Sequence, residues 1–311
     1  MIDYPAAEAV AMVVQTGSFE RAAAVLGVTP SAVSQRIRHL EERLGVVLIE
    51  RGAPCRATER GAWLCRHIDH VGLLEQDLMR QLPGLGDPSA PAQPVTLAIA
   101  ANADSLGTWF LDAIAAFAVD TDVLFNIAVD DEGHTADWLR HGRVLAAVTA
   151  LGRPVQGCRV TALGALRYHA TASPAFVARH FPDGVTPAGL ARAPALTFNQ
   201  KDGLQRQWIR RTFGLDLTPP THWLPSTQGF VAASLAGMGW GLNPAALVRD
   251  HLAAGRLVEL SPDAAFDVAL FWQINRLVAD RLAALTRTVV ATARRALVQA
   301  GPGGAAAAPP A

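Results

Sequence analysis

The chain has 311 residues, half of them hydrophobic and only 17% charged, which is too long for one ordinary domain and gives two or three units ample apolar material for cores. Its 27 basic and 27 acidic residues cancel, which argues against wholesale coating of a polyanion but leaves room for a local basic face. Cys55, Cys65 and Cys158 lack CxxC spacing, against a disulfide frame or zinc site, and neither a leader pattern nor an apolar run of about 18 residues is seen, so a cytoplasmic protein with no membrane partner is expected.

Residues 5–16 carry apolar side chains at helical spacing until Gly17-Ser18 breaks the run. Ser18 is placed to cap a second helix, 19–27, and Gly27-Val28-Thr29 forms a short turn. Thr29 and Pro30 open a third helix, PSAVSQRIRHLEERLG, which closes at Gly45. Residues 46–57 read as two short extended pieces around a Gly-Ala-Pro turn. Thr58 then caps a long helix to about Leu82, with Leu64, Ile68, Val71, Leu74, Leu78 and Leu82 at steps of three and four. Such a helix spans about 37 Å. One apolar stripe of that length predicts pairing with a second copy, with packing on its own domain as the alternative.

Residues 83–94, rich in Pro, Gly and Ser, read as a linker. Beyond them strands are predicted at 95–101, 123–130, 145–150, 160–172, 194–198, 221–225 and 267–274. Helices fit near 105–118, 135–141, 203–213 and 228–238. The alternation implies a parallel α/β sheet. A final helix is predicted at about 277–299, and the tail GPGGAAAAPPA has no core-forming pattern and is expected to be disordered.

Two helices joined by a three-residue turn containing Gly27 make a helix-turn-helix. Ser31, Ser34, Gln35 and Arg38 fall at i, i+3, i+4 and i+7 of the second helix and share one exposed face, while Ala32, Val33, Ile37 and Leu40 include the positions that pack inward. Gln pairs bidentately with adenine and Arg with guanine, and Ser donates to phosphates or base edges. Residues 21–66 hold eight arginines against four acids, the local surplus that double-stranded DNA requires. Arg51 and Arg56 flank the wing turn, within reach of a backbone or minor groove.

The stretch GSFERAAAVLGVTPSAVSQRIRHLEERLGVVLIERGAPCRATERG closely resembles the N-terminal domain of LysR-type transcriptional regulators. NADSLGTW (102–109), FPDGVT (181–186), TFNQKD (197–202) and the run at 252–262 resemble the lysine/arginine-responsive branch, the LysG/ArgP type. The resemblance implies an α/β protein with an N-terminal winged helix-turn-helix (1–58), a long dimerisation helix and hinge (59–94), and a two-lobed, periplasmic-binding-protein-like effector domain (95–300). The chain is implied to cross from lobe one (95–165 and 270–300) to lobe two (166–269) near 165 and to return near 270, with residues 301–311 outside. It further implies a small effector between the lobes, lysine or arginine, and control of a basic amino-acid exporter gene. Implied partners are promoter DNA, RNA polymerase and further copies in a homodimer or homotetramer.

Ligands of open parallel sheets bind beyond the carboxyl ends of strands, near helix N-termini. Asn102, Asp104 and Ser105 follow strand 95–101 and open a helix, which suits an effector carboxylate. Asp130 and Asp131, with Asp104 sharing, suit an ammonium or guanidinium, and Thr149 ends the third strand. On lobe two Asn199, Asp202, Trp223, Ser226 and Thr227 lie at strand ends facing the implied cleft, and Trp223 suits stacking on a guanidinium. Asp and Ser at such junctions are equally helix caps. Asn243-Pro244 reads as a turn.

Catalysis finds little support: there is no GxSxG elbow, Walker-type loop or HExxH. His67 and His70 stand at i, i+3, but no carboxylate or cysteine completes a metal site, and no cofactor is expected. The alternative readings are the same regulator with another effector, such as an organic acid, or a cytosolic solute-binding α/β protein.

Overall fold

Three helices form where capping side chains coincide with apolar spacing. α1 (Tyr4–Thr16) starts at Asp3, whose carboxylate accepts from Ala6 N, and ends at Gly17 with φ +70°, a left-handed conformation that favours glycine. α2 (Phe19–Val25) starts at Ser18, and α3 (Pro30–Leu44) starts at Thr29 and closes at Gly45, all as expected. Alanines and valines of α1 and α2 pack against Val33, Ile37 and Leu40 of α3, with Leu48 and Ile49 completing one buried cluster. The computed structural model describes residues 2–82, 95–130 and 135–299, so the linker at 83–94, Asp131 and the tail at 301–311 lie outside the described residues.

The wing follows as an antiparallel pair, β1 (Ile49–Glu50) and β2 (Arg56–Ala57). Glu41 of α3 anchors it, its Oε1 accepting from Leu48 N at 2.6 Å and Ile49 N at 3.3 Å. Thr58 Oγ1 donates to Val47 O and accepts from Gly61 N, starting α4 (Glu59–Gln81) hard against the wing. Leu64 joins the buried cluster, whereas Leu74, Leu78 and Leu82 are exposed. Tyr4 Oη lies 3.2 Å from His67 Nε2 and ties α1 to α4.

By internal contact the chain divides into two compact units: Met1–Ala98 with Asp122–Asn126 and Arg140–Leu145, and Ile99–Thr121 with Ile127–Leu139 and Ala146–Ala311. In the later part of the chain, β3 (Val95–Asn102) leads into a continuous helical run made of α5 (Ala103–Ser105), one π-helical turn (Leu106–Phe110) and α6 (Leu111–Val119). There follow β4 (Val123–Asp130), α7 (Thr135–Arg140), β5 (Ala146–Thr149) and the long β6 (Cys158–Ala172). Next come α8 (Pro174–His180), α9 (Pro187–Leu190), β7 (Ala195–Thr197), α10 (Leu204–Phe213), β8 (Thr221–Trp223) and α11 (Thr227–Leu235). The chain continues through β9 (Gly241–Pro244), α12 (Ala245–Ala253), β10 (Val258–Glu259) and β11 (Phe266–Asn275) to α13 (Arg276–Ala279) and α14 (Ala283–Ala296).

Strand order is β10-β6-β11-β5-β3-β4, with β9 also pairing along β6. The expected parallel sheet is therefore a mixed one. β3 runs parallel to β5, and β7 to β8, but β6 and β11 run antiparallel along most of their length. The physical reason is that these two strands each pass through both lobes in opposite directions, which no strand–helix alternation reveals. β5 attaches to residues 271–274 of β11 in lobe one, and β9 and β10 attach to residues 168–172 of β6 in lobe two. Asn243-Pro244, expected as a turn, belongs to buried strand β9. The single last helix is broken into α13 and α14. Helices α8, α9 and α12 and strand β10 were not anticipated. No helix among the described residues is long and apolar enough to cross a membrane.

Gly61 marks the tightest joint in the N-terminal helices and wing, because a Cβ there overlaps the backbone carbonyl of Leu48. Alanine is favoured over glycine in a helix by about 1 kcal/mol, so Gly61→Ala separates packing from propensity. The clash is expected to win by about 1–3 kcal/mol, read as a lower midpoint in thermal unfolding; an unchanged or raised midpoint contradicts this joint.

Candidate functional site

Helix α3 buries Val33, Ile37 and Leu40 and leaves Ser31, Gln35 and Arg38 exposed, with Ser34 half-buried between them. The four polar residues therefore stand on one uncovered face of a helix held by α1 and α2. Ser31 Oγ lies 3.0 Å from Thr29 Oγ1 at the helix start. Arg51 and Arg56 are exposed on either side of the wing turn. The Arg51 guanidinium sits 5.3 Å above the Phe19 ring, a cation–π contact that leaves its donors free to point outward. Helix and wing thus leave polar and cationic side chains exposed, with donors of the kind that contact base edges and phosphates.

A second site lies among the ends of β3, β4 and β7 and the starts of α10 and α11. Asn102, Asp104, Asp130, Asp202, Gln205 and Thr227 bring its polar groups together, beside Phe198, Leu204, Phe230 and Leu242. Its free volume is about 20 Å³, room for about one water molecule. Asp104 closes it. Its Oδ1 accepts from Thr227 Oγ1 at 2.6 Å and its Oδ2 from the buried Tyr168 hydroxyl at 2.8 Å. Asp130 accepts from Trp138 Nε1 at 3.1 Å and stands 3.9 Å from Lys201 Nζ. Asp202 shapes its own loop, accepting from Phe198 N and Leu204 N. Asn199 does the same for Lys201 N and Asp202 N.

Two features of this cleft are costly to the protein alone. Asn102 is 1% exposed, and neither its Nδ2 nor its Oδ1 has a partner among the described residues; Gln205 donates to Leu196 O but leaves Oε1 unpaired. Each orphaned group costs about 1–3 kcal/mol. The helical run at Ala103 begins without a side-chain cap, whereas the first N–H of α10, that of Leu204, is taken by the Asp202 carboxylate. The lining combines three carboxylates with one uncapped helix start. That is the electrostatic counterpart of a small molecule with a carboxylate at one end and excess positive charge at the other.

The remaining sequence-derived candidates are placed elsewhere. Ser105 is fully buried, its hydroxyl without a partner among the described residues, and lies one turn into the helical run. Thr149 is buried in β5, its hydroxyl accepting from Leu151 N. Ser226 caps α11 through Gly229 N, and Trp223 is 54% exposed on β8. None of these four lines the cleft. Asn243 is buried, donating to Thr171 and Ser234. Conversely, sequence reasoning passed over Gln205 and Tyr168. Gln205 carried a readable signal, a polar residue on the apolar face of a helix whose other inward residues are Leu204, Trp208 and Ile209. Burial pushes the Cys65 thiol up to about 12 and raises that of Cys158, so neither supplies a thiolate at neutral pH.

Comparison with known proteins agrees with this arrangement. Residues 6–62 match the bacterial regulatory helix-turn-helix protein, lysR family, and residues 93–294 match the LysR substrate binding domain. The chain is similar to the HTH-type transcriptional regulator LysG of Mycobacterium tuberculosis, at 44% identity over 94% of each protein. It is 43% identical to ArgP of Pseudomonas fluorescens over 96% of this chain and 99% of that protein. Full-length LysG of Corynebacterium glutamicum, solved with bound effector Arg, is 35% identical, with a TM-score of 0.65 over 96% of this chain and 100% of that one. With a helix-turn-helix at one end and a two-lobed binding domain at the other, the chain belongs to the LysR family and is a transcriptional regulator of the LysG/ArgP type.

Proposed function

We propose that this regulator senses a basic amino acid, arginine or lysine, and controls a basic amino-acid exporter gene in response. The observation that carries the ligand reading is the clustering of Asp104, Asp130 and Asp202 beside the uncapped helix start at Ala103. The arginine in the related LysG supports it. An amino acid is far larger than the present free volume, so uptake requires the lobes to part. The Asp104 carboxylate then exchanges the Thr227 and Tyr168 hydroxyls for the cationic end of the ligand. Asn102 and the helix start at Ala103 receive the carboxylate end. The effector acts by favouring one of two DNA-bound geometries. The exposed Leu74 and Leu78 of α4, with Leu82 just past its end, suit pairing in a homodimer, which presents two α3 helices to successive major-groove faces. RNA polymerase is the partner that reads the outcome.

The ligand is tested by thermal shift with arginine, lysine, histidine and organic acids. Stabilisation by the basic amino acids is expected, and stabilisation by organic acids alone overturns the reading. Asp104→Asn is expected to weaken arginine binding about 10- to 100-fold, the worth of a charge-assisted hydrogen bond, in calorimetric titration.

Operator binding is tested by salt-dependent gel shift. Gln35→Ala and Arg38→Ala are each expected to cost about 1–3 kcal/mol on the operator and much less on random duplex. Arg51→Ala is expected to weaken both equally and flatten the salt slope by about one. If all three variants bind operator as tightly as the parent protein, this face is not the reader.

A further inference from the structure

We propose that the segment Leu297–Gln299 is a strap that fixes the angle between the two lobes, with Gln299 as its positioning residue. This rests on the reading that the lobes move about a basic amino acid. β6 and β11 pass through both lobes, and their ladder is regular from Cys158↔Asn275 to Ala162↔Phe271 and again from Gly164↔Leu270 to Tyr168↔Phe266. Between the two stretches Leu163 has no partner on β11, which is a β-bulge. Gly164 beside it has φ +123°, a conformation closed to ordinary side chains. The two strands therefore have their bending point at residues 163–165.

The C-terminal segment is fitted to that point. Gln299 Nε2 donates to Leu163 O, the carbonyl of the bulged residue, at 3.1 Å, and to Leu297 O at 3.1 Å. Val298 pairs with Ala165 in both directions, at 2.8 and 2.9 Å. A Cβ on residue 164 would stand 2.8 Å from Val298 O, so glycine and strap require one another. The strap leaves α14, which packs on α6 in lobe one, and it ends on Ala165, where β6 enters lobe two. Any change of lobe angle must bend β6 beneath these bonds and strain or break them. Loosening the strap spreads the lobes over more angles, and ligand affinity falls with the fraction that remains binding-competent.

The test uses the full-length protein with Gln299→Glu, which keeps the size and removes the donors, and a second form ending at Leu297. Hydrogen exchange is followed at residues 161–167, and arginine binding by calorimetry. Exchange is expected to rise about tenfold at 161–167 while 168–172 and α3 keep their protection. The arginine Kd is expected to rise about three- to tenfold, a coupling of ordinary size. Unchanged exchange at 161–167 overturns the proposal. Faster exchange with an unchanged arginine Kd also overturns it, since the segment is then a mere edge contact. If the parent protein takes up neither arginine nor lysine, it is the ligand reading that fails, and the exchange comparison alone decides the strap.

Discussion

The antiparallel pairing of β6 with β11 is the constraint on which the sensing domain depends. Two strands of 15 and 10 residues serve as edge and spine for elements at both ends. β5, β3 and β4 build outward from one end, and β9 and β10 build on the other. Because the same two strands belong to both lobes, neither lobe can turn without deforming a shared hydrogen-bonded ladder. A ladder resists bending everywhere except where pairing is interrupted, and the bulge at Leu163 and Gly164 is such a place. A mixed sheet thus does what an all-parallel one cannot: it joins two lobes by a defined pair of strands.

The cleft shows the opposing terms of recognition in one place. Its carboxylates are already held by hydroxyls, an indole N–H, backbone amides and a nearby ammonium, so the protein does not leave them bare. Asn102 and the Oε1 of Gln205, by contrast, are buried without a partner among the described residues. Retaining such groups is destabilising in the absence of a ligand. The cost is reasonable where affinity and selectivity are drawn from the same atoms, because a ligand that satisfies them gains the full penalty back and one that does not gains nothing.

Local chemistry made the DNA-binding unit legible in the sequence. Ser18, Thr29 and Thr58 cap the residues three ahead of them, and Gly17 and Gly45 close the helices they follow, whereas the Asp3 cap of α1 went unread. Such signals need no knowledge of the rest of the chain. Asp104 and Asp130 were legible as strand-end carboxylates, but their partners Thr227, Tyr168 and Trp138 depend on how distant elements meet. Thr149 and Ser226 had the right residue types in the right local setting, and the fold used them for a turn and a cap. The bond from Gln299 to Leu163 spans 136 positions; no periodicity or motif in either neighbourhood points to the other. The antiparallel course of β6 and β11 was hidden for the same reason, since strand direction is set by the partner and not by composition.

The joint at Gly61 has a mechanical meaning. Helix α4 begins in backbone contact with Leu48, whose amide is held by Glu41 of α3, so the wing is clamped between the two helices. Such a contact has no side chain to yield, and α3, wing and α4 turn as one piece. A helix of 23 residues is a lever about 35 Å long. Tilting it by about 5° moves its far end by about 3 Å. Read the other way, a shift of about 3 Å imposed at the far end of α4 turns α3 and its exposed face by about 5°.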